Sequence, residues 1–236
     1  MRPRWSIVVT TYKRLDRLRD LLCRLADAVP DGAEILIADD DPESTEWEGE
    51  PPRLAMRDVT VRHLKTDRNR GAAGNVNRAI SQSSGSMLHW CADDDWPDPW
   101  FYESMDVPGA DLIHCGYRNH LPDGRIWDGP MLRAGSGPIR DKSHLARMLF
   151  GNPTHMVSTV FLRSLWDQLG GFDERFPLFH DWHFLIRANL RTDPYFVAER
   201  LANYRQHSAS LTGRATDDAR SAELAEMQSD VRWALS

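Results

Sequence analysis

Ser86-Met87-Leu88-His89-Trp90-Cys91-Ala92-Asp93-Asp94-Asp95-Trp96-Pro97-Asp98-Pro99 joins an apolar run to three consecutive carboxylates and a turn broken by prolines. Met, Leu, Trp and Cys in so short a run predict a buried strand, and the prolines stop it from continuing. The acids therefore fall at a strand's C-terminal end, where open α/β sheets place their ligands. Two like charges about 4 Å apart repel by roughly 4 kcal/mol at an effective dielectric near 20. Three acids at one strand end call for a cation, a donor-rich ligand or open water; alone, the stretch reads more readily as a solvated acidic turn than as a site.

The flanking sequence repeats the pattern. Trp5 to Thr10 is a β-branched first strand. Leu15, Leu18, Leu21, Leu22 and Leu25 then fall on one helical face, with Arg14, Arg17, Asp20 and Arg24 largely elsewhere. Glu34 to Ala38 predicts a second strand that runs straight into Asp39-Asp40-Asp41-Pro42, a second acidic strand end. A polar loop with at most short helix is expected over 43–56, a strand over 59–64, and an Ala-rich helix from about Ala72 to Ser81. Further elements are a short helix near Trp100 to Met105 and a strand over Ala110 to Cys115. Strands alternating with helices, with acids at successive strand ends, predict a parallel α/β sheet with a nucleotide-type crevice. There is no Gly-x-Gly-x-x-Gly fingerprint and no P-loop, which disfavours dinucleotide and P-loop chemistry.

The second half is less regular. Pro122-Asp123-Gly124 predicts a hairpin turn, and Ser143 a cap for a helix through Leu149. A strand is expected over Val157 to Leu162, a helix from His180 to about Leu190, and the last strand over Tyr195 to Leu201. Thr216 to Leu235 reads as an amphipathic helix with Leu224, Met227, Val231 and Leu235 on one stripe. That pattern leaves dimerisation, membrane-surface contact and core packing open for the helix, although its acids disfavour an anionic membrane.

With 236 residues, the chain can bury roughly 70–75% of its unfolded surface without disulfide staples. A net charge of −6 disfavours a broad nucleic-acid grip. Cys23, Cys91 and Cys115 form no CxxC pair and suit a reducing compartment. No apolar stretch approaches the roughly 18 residues of a membrane span, so a cytoplasmic protein without a transmembrane segment is expected.

Six separated stretches, in order, resemble the family 2 glycosyltransferases of GT-A fold. They are Ser6 to Tyr12, Asp39 to Asp41, Asn69-Arg70-Gly71 with Asn75 to Ile80, Ala92 to Asp95, Gly170 to Glu174 with His180-Asp181-Trp182, and Tyr204-Arg205-Gln206-His207. The resemblance implies a Rossmann-like, mostly parallel sheet with flanking helices and an irregular acceptor-side half. It divides residues 1–212 into a nucleotide-binding half, 1–116, and an acceptor half, 117–212, with a C-terminal helix over 213–236.

The resemblance also implies roles. Thr10 and Tyr12 would contact base or ribose, Asp40 would accept from the imide N–H of a uracil or thymine, and Arg70 would approach base or phosphate. Asp93 would face the ribose and Asp94 a metal, with Asp95 suited to either because Ala92 stands where many relatives carry an acid. A diphosphate leaving group gains charge as the sugar departs, and hard Mn²⁺ or Mg²⁺ held on carboxylate oxygen neutralises it; His207 is a further metal ligand or phosphate contact. Asp181 would take the proton of the acceptor hydroxyl in an inverting displacement, although an Asp there also suits a helix N-cap. The expected partners are a nucleoside-diphosphate sugar of UDP or dTDP type and an acceptor such as a glycan, natural product or lipid-linked sugar, with a homodimer left open. The rival readings are a nucleotidyltransferase, whose Gly-rich basic first loop is missing from Thr11-Tyr12-Lys13-Arg14, and a non-catalytic nucleotide- or sugar-binding module.

Overall fold

The computed structural model describes residues 4–44, 58–208 and 210–232. The polar loop expected over 43–56 lies, from residue 45 onward, outside the described residues, as does Leu235.

In chain order the elements are β1 (Trp5–Thr11), α1 (Leu15–Ala28), β2 (Glu34–Asp39), β3 (Thr60–Leu64), α2 (Gly71–Gln82), β4 (Met87–Ala92), β5 (Trp96–Pro97) and α3 (Phe101–Ser104). The second half comprises β6 (Leu112–His120), β7 (Ile126–Asp128), β8 (Gly137–Pro138), α4 (Ser143–Met148), a 3-10 turn (Met156–Ser158), β9 (Thr159–Leu162) and α5 (Arg163–Leu169). It ends with α6 (His180–Arg191), β10 (Tyr195–Arg205), α7 (Leu211–Arg214) and α8 (Asp217–Arg232).

One sheet runs through the molecule in the order β3-β2-β1-β4-β9-β6-β10-β5. The parallel expectation holds for β3, β2, β1 and β4, and again for β6 with β10. Between these two sets β9 enters antiparallel to both β4 and β6, so the sheet is mixed. Val160 and Phe161 of β9 are fully buried, whichever way the strand runs. An apolar run of that kind states burial but not direction, which is why the reversal was invisible in the sequence.

Alternation along β1 builds the two faces. Ile7 and Val9 pack with Leu18, Leu21 and Leu25 of α1, whereas Val8 turns to the other face with Val76 of α2, Phe161 and Phe184. Met227 and Val231 of α8 are buried in that second cluster, with Leu224 packed against it. The C-terminal helix thus serves core packing. None of the described helices is long and apolar enough to cross a membrane.

Of three local details, two depart from expectation. Ser143 does not cap α4 from outside; it is the first helical residue, and the Asp141 carboxylate accepts from its N–H at 2.9 Å. The hairpin forms as expected, pairing Arg118 with Asp128 and His120 with Ile126. The last strand continues past Leu201 to Arg205, with register irregularities near Arg200, and so delivers the Tyr204-Arg205 pair to the end of the sheet that carries the acids.

The glycine pair Gly170-Gly171 ends α5 in the left-handed region, φ 71 and 79, where a side chain would be strained. The amide of Asn77 on α2 then bonds both the N–H and the carbonyl of Phe172. This block is therefore the anchor of the chain that leads into α6.

Candidate active site

A cleft of about 360 Å³ opens at the carboxyl ends of β1 and β4. Thr10, Arg14, Asp94 and Asp95 line it from that side; His155, Phe179, Asp181, Tyr204 and Arg205 line it from the second half.

The parallel pairing of β1 and β4 sets Thr10 beside Ala92, and Asp93 N–H donates to the Thr10 carbonyl at 3.1 Å. Trp90 Nε1 donates to Thr10 Oγ1 at 2.9 Å, and Thr11 Oγ1 donates to Asp93 Oδ2 at 2.6 Å. The Asp93 side chain is wholly covered. Burial pushes its carboxyl up to about 7, against the pull of Arg14 and the Thr11 hydroxyl and with a further push from Asp94.

Asp94 Oδ2 takes Arg14 Nη1 at 2.6 Å and His207 Nε2 at 2.7 Å. Asp95 Oδ1 accepts from the Arg205 N–H at 2.9 Å, joining the end of β10 to the end of β4. Burial, then its neighbours Asp94 and Asp93, hold the Asp95 carboxyl well above the usual carboxylate range.

Asp40 sits at the end of β2, its N–H bonded to the Thr11 carbonyl at 3.0 Å. Its Oδ1 accepts from the Arg70 N–H at 2.8 Å. Burial raises its carboxyl, opposed by the backbone bonds from Arg70 and Gly71. The Arg70 guanidinium is engaged by Asp67 at 2.6 Å and by Thr66 at 3.2 Å. At the acidic end of β2 Arg70 gives Asp40 a backbone hydrogen bond, and its charge also favours the Asp40 carboxylate. Tyr12, at 40% exposure, stands at the rim of the same strand ends.

Asp181 occupies the first turn of α6 and Phe179 the N-cap position; the Asp181 carboxylate accepts from the N–H of Trp182 at 2.7 Å. The loop before it is clamped by α8: Glu223 Oε1 accepts from both Leu178 N–H and Phe179 N–H, each at 2.7 Å. His180 turns inward beside the Trp90 and Phe172 rings, and neither of its ring nitrogens has a hydrogen-bond partner.

The structure therefore brings Thr10, Asp94, Asp95 and Asp181 to one cleft, seats Asp93 beneath it, and joins His207 to Asp94. Asp40, Arg70 and Tyr12 sit at neighbouring strand ends but do not line it. Sequence reasoning missed Arg14, assigned to the outer side of α1; it precedes the helix and bridges Asp93 and Asp94. It also missed Glu223, whose contact spans more than forty residues and has no local signal.

A divalent cation could draw on the Asp94 carboxylate and the His207 imidazole, oxygen and nitrogen donors of ordinary metal-ligand type. Among the described residues no group of three or more His, Cys, Asp or Glu is assembled for a metal.

The description Glycosyl transferase family 2 matches residues 6–165, well over half of the chain. Asp181 and His207 lie beyond that span. The uncharacterized glycosyltransferase YwdF of Bacillus subtilis (strain 168) is 25% identical over 190 residues, covering 78% of this chain and 67% of YwdF. Two solved structures share the fold. S. aureus TarS 1-349 in complex with UDP-GlcNAc superposes with TM-score 0.68 at 17% identity, over 92% of this chain and 62% of that one. The mannosyltransferase PcManGT from Pyrobaculum calidifontis, in complex with GDP-Man and Mn²⁺, gives TM-score 0.64 at 16% identity, over 98% and 64%. This chain thus spans less than two thirds of both solved chains. The extent of the family match, carried on strands whose ends hold the expected acids, means that the chain belongs to glycosyl transferase family 2.

Proposed function

We propose that the protein transfers a sugar, with inversion, from a nucleoside-diphosphate sugar of UDP or dTDP type to an acceptor hydroxyl, with a divalent cation bound. The observation that carries this reading is the convergence of Asp94, Asp95 and Asp181 on one cleft from two parts of the fold. Acids at the end of β4 suit the diphosphate side, and an acid at the start of α6 suits the acceptor side.

In this reading Asp181 takes the proton of the acceptor hydroxyl as it attacks, a contribution of about 10²–10⁴-fold for a positioned base. Asp40 accepts from the base's imide N–H, and Asp93 from a ribose hydroxyl. Asp94 and His207, with Asp95 next in the chain, would hold Mn²⁺ or Mg²⁺. An ion bound there would supply neutralisation of the charge that grows on the leaving diphosphate. The aromatic wall formed by Tyr204 and His155, rings stacked 4.0 Å apart, closes one side of the cleft. The complexes of TarS with UDP-GlcNAc and of PcManGT with GDP-Man and Mn²⁺ support a nucleotide-sugar donor.

The test is calorimetric titration of UDP and dTDP with Mn²⁺ and again with EDTA, followed by turnover of a panel of nucleotide sugars. Binding that strengthens with Mn²⁺, and turnover of at least one donor, is the expected result. Equal affinity with Mn²⁺ and EDTA would remove the metal role, and tighter binding of CTP or ATP would favour nucleotidyl transfer instead.

A further inference from the structure

The acids at the end of β4 already carry a cation of the chain's own. Arg14 Nη1 lies 2.6 Å from Asp94 Oδ2, and Arg14 Nη2 lies 2.8 Å from Asp93 Oδ1. The exposures are graded: the Asp93 side chain is at 0%, Asp94 at 11% and Arg14 at 34%. A ligand entering the cleft therefore meets the guanidinium before it can reach Asp93.

The bonding within the cluster is uneven. Asp94 Oδ2 is shared between Arg14 and His207, whereas the contact between Arg14 and Asp93 Oδ1 leaves that buried oxygen without a hydrogen bond. Backbone geometry holds Arg14 in this place. Lys13 takes φ 55, the one positive φ outside glycine among the described residues, and Arg14 follows at the N-cap position of α1. The turn thus carries the guanidinium over the strand ends instead of leaving it on the outer face of the helix.

A divalent cation held by Asp94 and His207 would stand within a few ångströms of the guanidinium that already sits on Asp94 Oδ2, and the two like charges compete for the same carboxylate. A guanidinium fork matches phosphate as well as it matches carboxylate. We propose that Arg14 is a phosphate-binding residue stored on the acid pair: it caps Asp93 and Asp94 in the free protein and moves to the donor's diphosphate when cation and nucleotide take the acids. This rests on the transfer reading given above, since it requires a diphosphate in the cleft.

The experiment measures two affinities in Arg14→Gln and in the unaltered protein. With Mn²⁺ alone, Arg14→Gln binds the ion about tenfold more tightly, because a competing charge has gone. With saturating Mn²⁺, the same variant binds UDP about tenfold more weakly, because a charged phosphate contact has gone. Opposite signs in one variant are the signature. Unchanged or weaker Mn²⁺ binding overturns the inference, as does unchanged UDP binding, and either result leaves the transfer reading standing if the unaltered protein binds UDP with Mn²⁺. Failure of the unaltered protein to bind UDP at all overturns both. If Arg14→Gln does not fold by circular dichroism, Arg14→Met carries the same test: it keeps a long side chain but neither the charge nor the fork, so both shifts keep their direction.

Discussion

The two ends of the sheet solve the same problem differently. In the first half, β3, β2, β1 and β4 run parallel, and their carboxyl ends collect Asp40, Asp93, Asp94 and Asp95 by topology alone. In the second half β9 runs against both neighbours; Asp181 reaches the cleft from a helix start, and His207 reaches Asp94 from a segment beyond β10. A parallel strand end is a place prepared by the fold. A helix start is prepared only by what packs against it. If the proposed transfer reading holds, with the nucleotide at the strand ends and the acceptor at the start of α6, the nucleotide side should tolerate loss of one group as a graded loss of binding, whereas the acceptor side should fail in chemistry while binding survives.

The largest expected effect tests that contrast directly. Asp181→Asn should lower transfer by about 10²-fold or more while leaving UDP affinity, measured by calorimetry with Mn²⁺, unchanged. Asp40→Asn should do the reverse. The amide oxygen still accepts from Arg70 N–H, but the charged acceptor for the base is gone, and UDP affinity should drop by roughly 10–100-fold at the value of a hydrogen bond to a charged group. If Asp181→Asn weakens UDP binding as much as it slows transfer, the division between the halves is wrong.

The same contrast explains what could be read in the sequence. The strands that carry the acids announce themselves by short apolar runs that end in carboxylates, as at Glu34 to Asp41 and Met87 to Asp95. Local pattern is enough where residues adjacent in sequence are adjacent in the site. It was not enough for Arg14, where the helical period over 15–25 suggested an outer face; the left-handed turn at Lys13 instead sets Arg14 over the acids. Nor was it enough for β9, since burial does not encode strand direction. Those outcomes depend on long-range packing that no window of sequence contains.

The seam between the halves should be acid-sensitive. His89 on β4 bonds the Val157 carbonyl at 3.1 Å and the Tyr102 hydroxyl at 2.9 Å; His114 on β6 bonds Thr159 Oγ1 on β9 at 2.9 Å and faces Asn189 of α6. Burial lowers His89 to about 4 and His114 to about 3, the latter with help from nearby His144. A histidine depressed in the folded state is neutral in both states above about pH 6.5. Below that the unfolded chain takes up the proton first, so stability falls with pH until the folded pKa is reached. Each of the two should contribute a slope of about 1.4 kcal/mol per pH unit between about 6.5 and 4. Urea melts at pH 7 and pH 5 measure it. Because the raised carboxyls of Asp93 and Asp95 titrate with the opposite sign over the same range, the reading is the difference between the unaltered protein and His89→Gln: a smaller loss of stability on acidification in the variant is expected, and an equal change in both would mean that His89 is not part of the weak join.

The smallest expected effect concerns how the acceptor side is kept in place. The helix α8 touches the segment before Asp181 through one carboxylate: Glu223 takes the N–H groups of Leu178 and Phe179, the two residues that lead into α6. Free N–H groups at a helix start are ordinarily satisfied by a cap within the local chain. Here no side chain at the N-cap position does so, and the acceptor comes from a helix more than forty residues away. Asp230 adds a second tie, bonding His183 Nε2 at 2.9 Å, and the buried Met227 and Val231 hold α8 against the same face. Glu223→Ala should therefore cost about 1–2 kcal/mol of stability, the value of a lost cap. It should also lower kcat by roughly 3–10-fold with KM for the donor unchanged, since a small misplacement of a base weakens its alignment. Glu223→Gln keeps an acceptor oxygen and should restore most of kcat. A kcat equal in Glu223→Ala and the unaltered protein would show that α6 holds Asp181 without help from α8, and the acceptor side would then be as self-sufficient as the strand ends opposite it.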